Sequence, residues 1–330
     1  MGGLIETEYT TCDLCGSEDQ TLLYSKIDPV TDQEFHVVEC RCGMAFVNPM
    51  PSEACIPKLY PPDYMEGKEL MDSRYSRMLD LLPDEAGGRL LDIGCARGDF
   101  ILRAQRRGWS AEGVDLIPWN RSEHPSILIG DLIEMDLPEN YYDAITAWAV
   151  LEHVRRPSLY FRKVSTLLKD KGLFIFIVPN FDALGMRRSC SEDIPRHLWL
   201  FTTRSVKSYL EKNGMDVVRI MHNSSIYTAY PFGLLRDLLY GLSPRPRHCS
   251  AIENRSVSLL RNAQLRGNLL RWLSEVRSRV KPSDMLLDAL DLAMGVALSK
   301  WSSLIRNYGI ITVIASKNGE KKLRENQKTS

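Results

Sequence analysis

The segment at residues 90–100, Leu-Leu-Asp-Ile-Gly-Cys-Ala-Arg-Gly-Asp-Phe, constrains the fold of this chain more than any other. A short apolar run at 89–93 predicts a buried strand, and apolar residues at helical spacing follow the turn as far as about Arg107. Glycines at 94 and 98 let the backbone approach a ligand closely, and the next helix begins with free N–H groups. The spacing is not the G-x-G-x-x-G of dinucleotide-binding proteins, so the turn alone predicts a ligand site without naming the ligand.

Strand and helix patterns alternate along the chain after this turn. Strands are predicted at 109–115, 126–131, 142–150, 172–179, 215–221 and 309–317, and helices at 157–169 and 203–214. This alternation predicts a doubly wound, mostly parallel sheet. No run of 18 apolar residues predicts a transmembrane helix, and the first residues lack the basic start and apolar core of a signal peptide. We therefore expect a cytoplasmic protein.

The turn resembles the first motif of class I S-adenosylmethionine-dependent methyltransferases, which reads D/E-x-G-x-G-x-G. The corresponding residues are Asp92, Gly94, Cys95, Ala96 and Gly98. Ala96 replaces the middle glycine of that motif, and alanine is the mildest replacement. The resemblance implies an α/β fold, a seven-stranded Rossmann-like methyltransferase sheet whose last strand pairs antiparallel beside the sixth. It also implies that S-adenosyl-L-methionine is the cofactor.

Acidic residues end the second and third strands of the predicted sheet. Asp115, followed by Leu116, ends the second strand, where a carboxylate can accept hydrogen bonds from two ribose hydroxyls. The resemblance assigns that role to Asp115. It assigns the adenine amino group to Asp131, with Leu132 packing on the ring. Acidic residues are common at strand ends, so a solvated surface role is the alternative for both.

The segment AWAVLEHV at 147–154 matches the family's segment after the fourth strand, which implies that the backbone of Ala147 and Trp148 passes beside the methionine part of the cofactor. Methyl transfer from a sulfonium depends mainly on positioning, although a hydroxyl nucleophile also needs a base. His153 and His197 are candidates for that base, with Glu152 as a partner for either. His197 is preferred because its loop covers the substrate in the family. A purely structural role, bonding or capping at a helix start, is the alternative for both histidines.

Four cysteines near the amino terminus form two closely spaced pairs, Cys12 with Cys15 and Cys40 with Cys42. Four thiolates in paired spacing can surround one Zn²⁺, and a small module with little core gains folding energy from a metal. The segment also resembles the zinc ribbon CxxCG…CxxCG-l-x-f-x-x-P-x-P of bacterial methyltransferases linked to polysaccharide or secondary-metabolite pathways. The second pair here is one residue shorter. We expect a structural zinc, and four free thiols are the alternative.

The charges cancel over the whole chain but are unevenly distributed. Residues 1–88 hold 17 acidic and 6 basic residues, whereas residues 222–330 hold 8 acidic and 17 basic residues. Such asymmetry suggests modules with different roles. The predicted organisation is a zinc ribbon at 1–47, a proline-rich linker and leading helix at 48–88, the cofactor-binding core at 89–221, a helical insertion at 222–308, the last core strand at 309–317 and a flexible tail at 318–330.

The insertion at 222–308 is rich in leucine and arginine. A substrate lid, the surface of a homodimer and a peripheral membrane contact are the alternatives for it, together with plain covering helices. Arginine binds phosphates well, so the basic insertion favours an anionic small-molecule acceptor such as a nucleotide sugar or a lipid-linked glycan.

The expected function is S-adenosylmethionine-dependent methylation of a sugar or glycan intermediate. An RNA base methyltransferase with a zinc module is one alternative, but the acidic amino-terminal part argues against a nucleic-acid partner. A non-catalytic binding protein that keeps the fold is the other alternative. The acidic set Asp92, Asp115 and Asp131 argues against it.

Overall fold

The amino-terminal module is a small antiparallel β structure. A computed structural model describes residues 4–28, 31–60, 72–83, 87–119, 126–183, 193–222, 226, 290, 294, 297 and 309–318. In the module, β1 (Thr7–Glu8) pairs with β5 (Met50–Pro51). The strands β2 (Gln20–Ile27), β3 (Glu34–Cys40) and β4 (Ala45–Val47) form an antiparallel sheet. A further strand of the sheet comes from residues 199–200, far along the chain.

The proline-rich segment is more ordered than the expected linker. A 3-10 helix spans Glu53–Leu59 and includes Pro57, and it buries Cys55 and Ile56. Proline removes an N–H donor and is unfavourable in an α-helix interior, whereas this segment is a short 3-10 helix. The helix α1 (Asp72–Leu79) follows and packs Met78 and Leu79 into the core.

The remaining elements build the main domain in chain order. They are β6 (Arg89–Ile93), α2 (Asp99–Arg106), β7 (Ser110–Asp115), β8 (Ile127–Ile129), a 3-10 turn at Leu132–Glu134, β9 (Tyr142–Trp148), α3 (Pro157–Leu167), β10 (Leu168–Pro179), β11 (Trp199–Leu200), α4 (Thr203–Lys212), β12 (Met215–His222) and β13 (Ile310–Lys317). The predicted strands and helices lie at these positions to within a few residues, except that β10 begins at Leu168 rather than near residue 172.

Seven of these strands form one mixed sheet in the order β8-β7-β6-β9-β10-β13-β12. The pairs from β8 to β10 are parallel, and β13 is antiparallel to both of its neighbours. The predicted Rossmann-like sheet and its antiparallel last strand are therefore confirmed. The central strands are buried along most of their length because helices cover both faces of the sheet. The strand order reverses between β6 and β9, and ligands of such sheets bind outside the carboxyl ends of the strands at that point.

The module at the amino terminus is fastened to the main domain by main-chain and side-chain contacts. The strand β11 pairs with β4, placing Trp199 opposite Phe46, and the two rings stack with centroids 4.8 Å apart. The amide of Val47 also donates to the carbonyl oxygen of Leu198 at 2.9 Å. Trp199 and Phe201 are buried in the core, so they do not act as exposed pocket walls.

Most of the insertion at 222–308 and of the tail at 318–330 lies outside the described residues. Residues 290, 294 and 297 are helical, and β12 extends to His222. The lid, homodimer and membrane-contact alternatives for the insertion therefore stay predictions, as do the domain boundaries. Among the described helices, none combines the length and apolar character needed to cross a bilayer.

Candidate cofactor and catalytic site

The glycine turn lies between the carboxyl end of β6 and the start of α2. Gly94 and Gly98 have φ angles of 67° and 82°, in the left-handed region where a side chain is unfavourable. A Cβ atom at Gly94 would lie 2.5 Å from Cγ2 of Val150, so glycine is also required there for space. Ala96 has a φ of 49° and therefore adopts the left-handed conformation despite its side chain. The departure from the family's middle glycine thus carries a conformational cost of about 1–2 kcal/mol.

Asp115 connects this turn to the loop after β7. Its Oδ2 accepts a 2.7 Å hydrogen bond from the amide of Ala96, and its Oδ1 accepts bonds from the amide of Ile117 and the indole of Trp119 at 2.9 and 3.2 Å. These three bonds fix the orientation of the carboxylate. The neighbouring Leu116 side chain is 45% exposed.

Asp92 and the end of β9 lie beside the turn. Residues Ile93 and Ala147 are register partners in the parallel pair of β6 and β9, so the two strand ends are adjacent. Asp92 is buried and accepts a 2.6 Å hydrogen bond from the hydroxyl of Thr146. Burial raises the pKa of Asp92 to about 8, although the Thr146 bond opposes the shift. The indole nitrogen of Trp148 is buried and has no hydrogen-bond partner among the described residues.

Asp131 begins the 3-10 turn that follows β8. Its Oδ1 accepts bonds from the amide of Ile133 at 2.9 Å and from the hydroxyl of Tyr160 at 2.8 Å. Burial, with the Asp131 charge adding to it, raises the pKa of the Tyr160 hydroxyl, which therefore stays a donor. The Leu132 side chain is 1% exposed and packs in the main hydrophobic core. The structure thus brings Asp131 to the same edge as Asp115, since Ile129 is the register partner of Asp115.

Glu152, His153 and His197 meet after the end of β9. The two imidazole rings have centroids 4.7 Å apart, and one donor atom from each of the three side chains lies within 4.8 Å of the others. The backbone explains the meeting, because the amide of Leu198 donates to the carbonyl oxygen of Glu152 at 2.8 Å. The two candidate bases and their acidic partner therefore form one cluster, although His197 lies 44 positions after His153 in the chain.

Each ring of this cluster is held through one nitrogen. Nδ1 of His153 lies 3.0 Å from the carbonyl oxygen of Arg196, and Nε2 of His197 lies 3.5 Å from Oδ2 of Asp193. Burial lowers the pKa of His153 to about 3, and the adjacent His197 adds to the shift. Burial also lowers the pKa of His197, against the opposing charge of Asp193. Both rings are therefore neutral at neutral pH and retain a lone pair on one nitrogen.

Tyr60 lies between this cluster and the Asp115 region. Its ring makes edge contacts with Trp119 and with His153, at centroid distances of 6.4 and 6.1 Å. Such distances are typical of favourable aromatic pairs. The end of the proline-rich segment therefore packs beside both halves of the candidate site.

The four cysteines converge on one point of the amino-terminal module. The sulfur atoms of Cys12 and Cys42 are 3.6 Å apart, and those of Cys15 and Cys40 are 3.4 Å apart. All four sulfur atoms lie within 4.8 Å of one another. Thiolates around a tetrahedral Zn²⁺ are about 3.8 Å apart, so the described geometry fits a zinc ion. The shorter second pair does not prevent the convergence.

Several residues of the site were not identified from the sequence. Trp119 and Tyr160 hold the two acidic residues, Thr146 holds Asp92, and Asp193 holds His197. Tyr160 lies on α3 and Thr146 within β9, where a hydroxyl is unremarkable in sequence. Their roles follow only from the neighbours that the fold provides.

Comparisons with known proteins address the main domain. Residues 65–220 match a family model described as a methyltransferase domain. A protein of Chromobacterium violaceum named "Ubiquinone biosynthesis O-methyltransferase" is 30% identical over 115 residues, which are 30% of this chain and 47% of that protein. A Mycobacterium tuberculosis protein named "Probable fatty acid methyltransferase" is 27% identical over 120 residues, which are 33% of this chain and 28% of that protein.

The chain spans about half or less of the length of these two curated relatives. Among solved structures, an S-adenosylmethionine-dependent methyltransferase from Archaeoglobus fulgidus is 17% identical, with a TM-score of 0.47, and the match covers 77% of this chain and 97% of that one. Both sequence matches are to proteins named as methyltransferases, and each covers about a third of this chain.

Proposed function

We propose that the protein transfers the methyl group of S-adenosyl-L-methionine to a small-molecule acceptor. The observation that carries the proposal is the edge of the sheet where the Gly94 turn, Asp115 and Asp131 lie together, within the segment that matches a methyltransferase domain. The indole N–H of Trp148, at the end of β9, is buried without a partner among the described residues, so a ligand at this edge would supply a missing acceptor.

The roles of the cofactor-binding residues are part of the proposal. Asp115 would accept the ribose hydroxyls, and Asp131, held by Tyr160, would accept the adenine amino group. The backbone at Ala147 and Trp148 would lie beside the methionine part. When bound, S-adenosyl-L-methionine supplies a methyl group that its positive sulfur already activates, so the chain's main task is to align the acceptor.

The cluster of Glu152, His153 and His197 is proposed to accept the proton of the acceptor. His197 is the preferred base, because its free nitrogen, Nδ1, is buried without a partner among the described residues while Nε2 is oriented by Asp193. A base that is neutral and held in one orientation suits proton transfer from a hydroxyl. The acceptor oxygen would bond to the methyl carbon as the bond from that carbon to the cofactor's sulfur breaks and leaves its electron pair on sulfur, and the acceptor's proton would pass to Nδ1 of His197.

We also propose that the four cysteines hold a structural zinc. The sulfur distances support it, and four thiolate ligands leave no open coordination position for chemistry. The zinc would stabilise the module whose strand β4 pairs with β11, immediately after His197. The metal thus contributes indirectly, by holding the chain that carries the candidate base.

A sugar or glycan intermediate is the proposed acceptor, in the cytoplasm. The resemblance of the cysteine module to the zinc ribbon of polysaccharide-pathway methyltransferases supports this choice, as does the basic charge of residues 222–330. The names of relatives that are O-methyltransferases of ubiquinone biosynthesis favour a second candidate, an aromatic hydroxyl.

Calorimetry with S-adenosyl-L-methionine tests the cofactor assignment. Asp115→Ala should weaken binding by about tenfold or more, since it removes charge-assisted bonds worth about 1.5–3 kcal/mol. Asp216→Ala, an exposed acid on β12, is the matched control and should bind as the wild type does. Equal affinity in both variants would contradict the assignment.

Turnover assays with a labelled methyl group then identify the acceptor. The panel contains nucleotide sugars, lipid-linked glycans, phenolic quinone precursors and RNA. Transfer to a sugar supports the proposal, transfer only to a phenol supports the second candidate, and transfer only to RNA replaces both. His197→Ala should reduce turnover strongly while leaving cofactor binding unchanged.

A further inference from the structure

The cluster of Glu152, His153 and His197 contains residue types that bind metal ions as well as accept protons. They are the one group of metal-ligating side chains in the described part of the chain that does not involve the four cysteines. Their donor atoms lie within 4.8 Å of one another. Ligand atoms around a divalent ion bound at about 2.0–2.2 Å are about 3–4 Å apart, so the three side chains are close to the spacing that a shared ion requires.

The outer nitrogens of both rings are held in the way that metal-binding histidines usually are. Such histidines donate their second N–H to a carbonyl or carboxylate, which fixes the tautomer and the ring orientation. Here Nδ1 of His153 lies 3.0 Å from the carbonyl oxygen of Arg196, and Nε2 of His197 lies 3.5 Å from the Asp193 carboxylate. This leaves Nε2 of His153 and Nδ1 of His197 as the available donors.

The inner donors lack the partners that their burial requires. Glu152 is 1% exposed, and neither of its carboxylate oxygens has a hydrogen-bond partner among the described residues. Nδ1 of His197 is buried without a partner in the same part of the chain. Burying a carboxylate without a compensating group costs several kcal/mol, and a cation is the group that would satisfy both oxygens and both nitrogens together.

We propose that Glu152, His153 and His197 bind a divalent transition-metal ion, separate from the zinc proposed for the cysteines. Two imidazoles and one carboxylate are the donor set of Zn²⁺, Fe²⁺ and Mn²⁺ sites, whereas Mg²⁺ and Ca²⁺ prefer oxygen ligands alone. Three protein ligands leave at least one coordination position for a water molecule or an acceptor oxygen.

The site extends the proposed function without depending on it. Glu152, His153 and His197 would hold the ion, which would supply a bound water of lowered pKa as the proton acceptor in place of the free His197 ring. Ion binding itself needs neither the cofactor nor the acceptor, so the two proposals can fail separately.

Titration of the full-length protein with Mn²⁺ tests the site, with free Mn²⁺ followed by electron paramagnetic resonance. Mn²⁺ is chosen because thiolate sites select softer ions, so the cysteines do not compete for it. The wild type should bind one Mn²⁺ in addition to any zinc it already holds. Glu152→Gln and His197→Gln should each weaken binding by about tenfold or more. His222→Gln, at a histidine that is bonded to Thr203 and does not belong to the cluster, is the control and should bind Mn²⁺ normally.

Thermal unfolding of the same proteins separates an ion site from a structural role. Glu152→Gln replaces an unpartnered buried carboxylate by a neutral amide, so without Mn²⁺ it should not lower the melting temperature. Mn²⁺ should raise the melting temperature of the wild type and not that of the variant. Equal Mn²⁺ uptake by the wild type and Glu152→Gln, or no uptake by either, overturns the proposal.

Calorimetry with S-adenosyl-L-methionine on the same proteins distinguishes a failure of the ion-site proposal from a failure of the methyl-transfer proposal. Cofactor binding without Mn²⁺ uptake overturns the ion site alone. Mn²⁺ uptake without cofactor binding supports the ion site and contradicts the proposed methyl transfer.

Discussion

Asp13 fastens the cysteine module to the main domain, and replacing it should lower stability measurably. Its Oδ2 accepts hydrogen bonds from the amide of Ser158 at 2.8 Å and from the hydroxyl of Tyr209 at 2.9 Å, and its Oδ1 accepts a 2.8 Å bond from the hydroxyl of Ser158. Ser158 is the second residue of α3. The N-cap residue of this helix, Arg156, makes no side-chain hydrogen bond to the helix start. Asp13 therefore supplies, from 145 positions away, the acceptor that a capping residue normally provides.

The size of the effect follows from the groups left without a partner. In Asp13→Ala the Tyr209 hydroxyl, in a side chain that is 1% exposed, loses its acceptor, which costs about 1–3 kcal/mol. Loss of the acceptor and the negative charge at the start of α3 adds about 1 kcal/mol. The free energy of unfolding should fall by about 2–4 kcal/mol.

Equilibrium unfolding in urea, followed by circular dichroism and tryptophan fluorescence, measures this change. Asp13→Asn keeps one acceptor oxygen and should lose about 1 kcal/mol. Tyr209→Phe removes the hydroxyl that Asp13→Ala leaves without an acceptor. The double variant should therefore be more stable, by about 1–2 kcal/mol, than the sum of the two single changes predicts. Metal content is measured in parallel, because Asp13 lies between two of the cysteines.

Two results would refute this reasoning. A loss below about 0.5 kcal/mol in Asp13→Ala would mean that water replaces the carboxylate at no cost. Strict additivity in the cycle with Tyr209 would mean that the bond between the two side chains contributes nothing to stability.

The other predictions concern the glycine turn, the buried acid and the cysteines. Gly94→Ala should lower the free energy of unfolding by about 2–4 kcal/mol, because it adds a side chain to a left-handed residue and creates a clash. Ala96→Gly on the same turn should raise the free energy of unfolding by about 0.5–1 kcal/mol. Urea unfolding measures both variants, and a change in the same direction in both would contradict the strain argument. The pKa of Asp92 is raised to about 8 by burial, so the native state keeps a proton that the unfolded chain releases at about pH 4. As the pH rises from about 5 to about 8, the wild type should therefore lose a few kcal/mol of stability relative to Asp92→Asn. If the free energies of unfolding of the two proteins changed in parallel with pH, the prediction would be wrong. Chelation should remove about one zinc per chain and lower the melting temperature, and a metal-free protein with unchanged melting would refute the zinc assignment.

Much of the main domain could be predicted from local patterns in the chain. Short apolar runs alternate with helical patterns, and a glycine turn stands between the first strand and its helix, so the sheet and its ligand edge follow from general rules. Asp115 and Asp131 could be placed at one edge because the carboxyl ends of parallel strands always share it. The paired cysteines likewise indicated a common site through spacing alone.

The same patterns predicted less well where a residue's environment depends on contacts with residues that are distant in the sequence. Prolines at 49, 51 and 57 predicted a linker, yet the segment forms a strand and a 3-10 helix because β1 and the core cover it. Leu132 was expected on the cofactor ring, and its side chain is enclosed by the core instead.

The sequence by itself determined the order of strands and helices, the left-handed turn and the residue types available for chemistry, because each depends on neighbours a few positions apart. Only the tertiary structure decided that Glu152 and His197 meet, that β11 joins the sheet of the cysteine module and that Asp13 caps a helix of another domain. These contacts join residues 44 to 196 positions apart, and spacing along a chain carries no information about which loops return to the same point. The buried, unpartnered carboxylate of Glu152 exists only because the fold encloses it, and it is the group on which the proposed ion site depends.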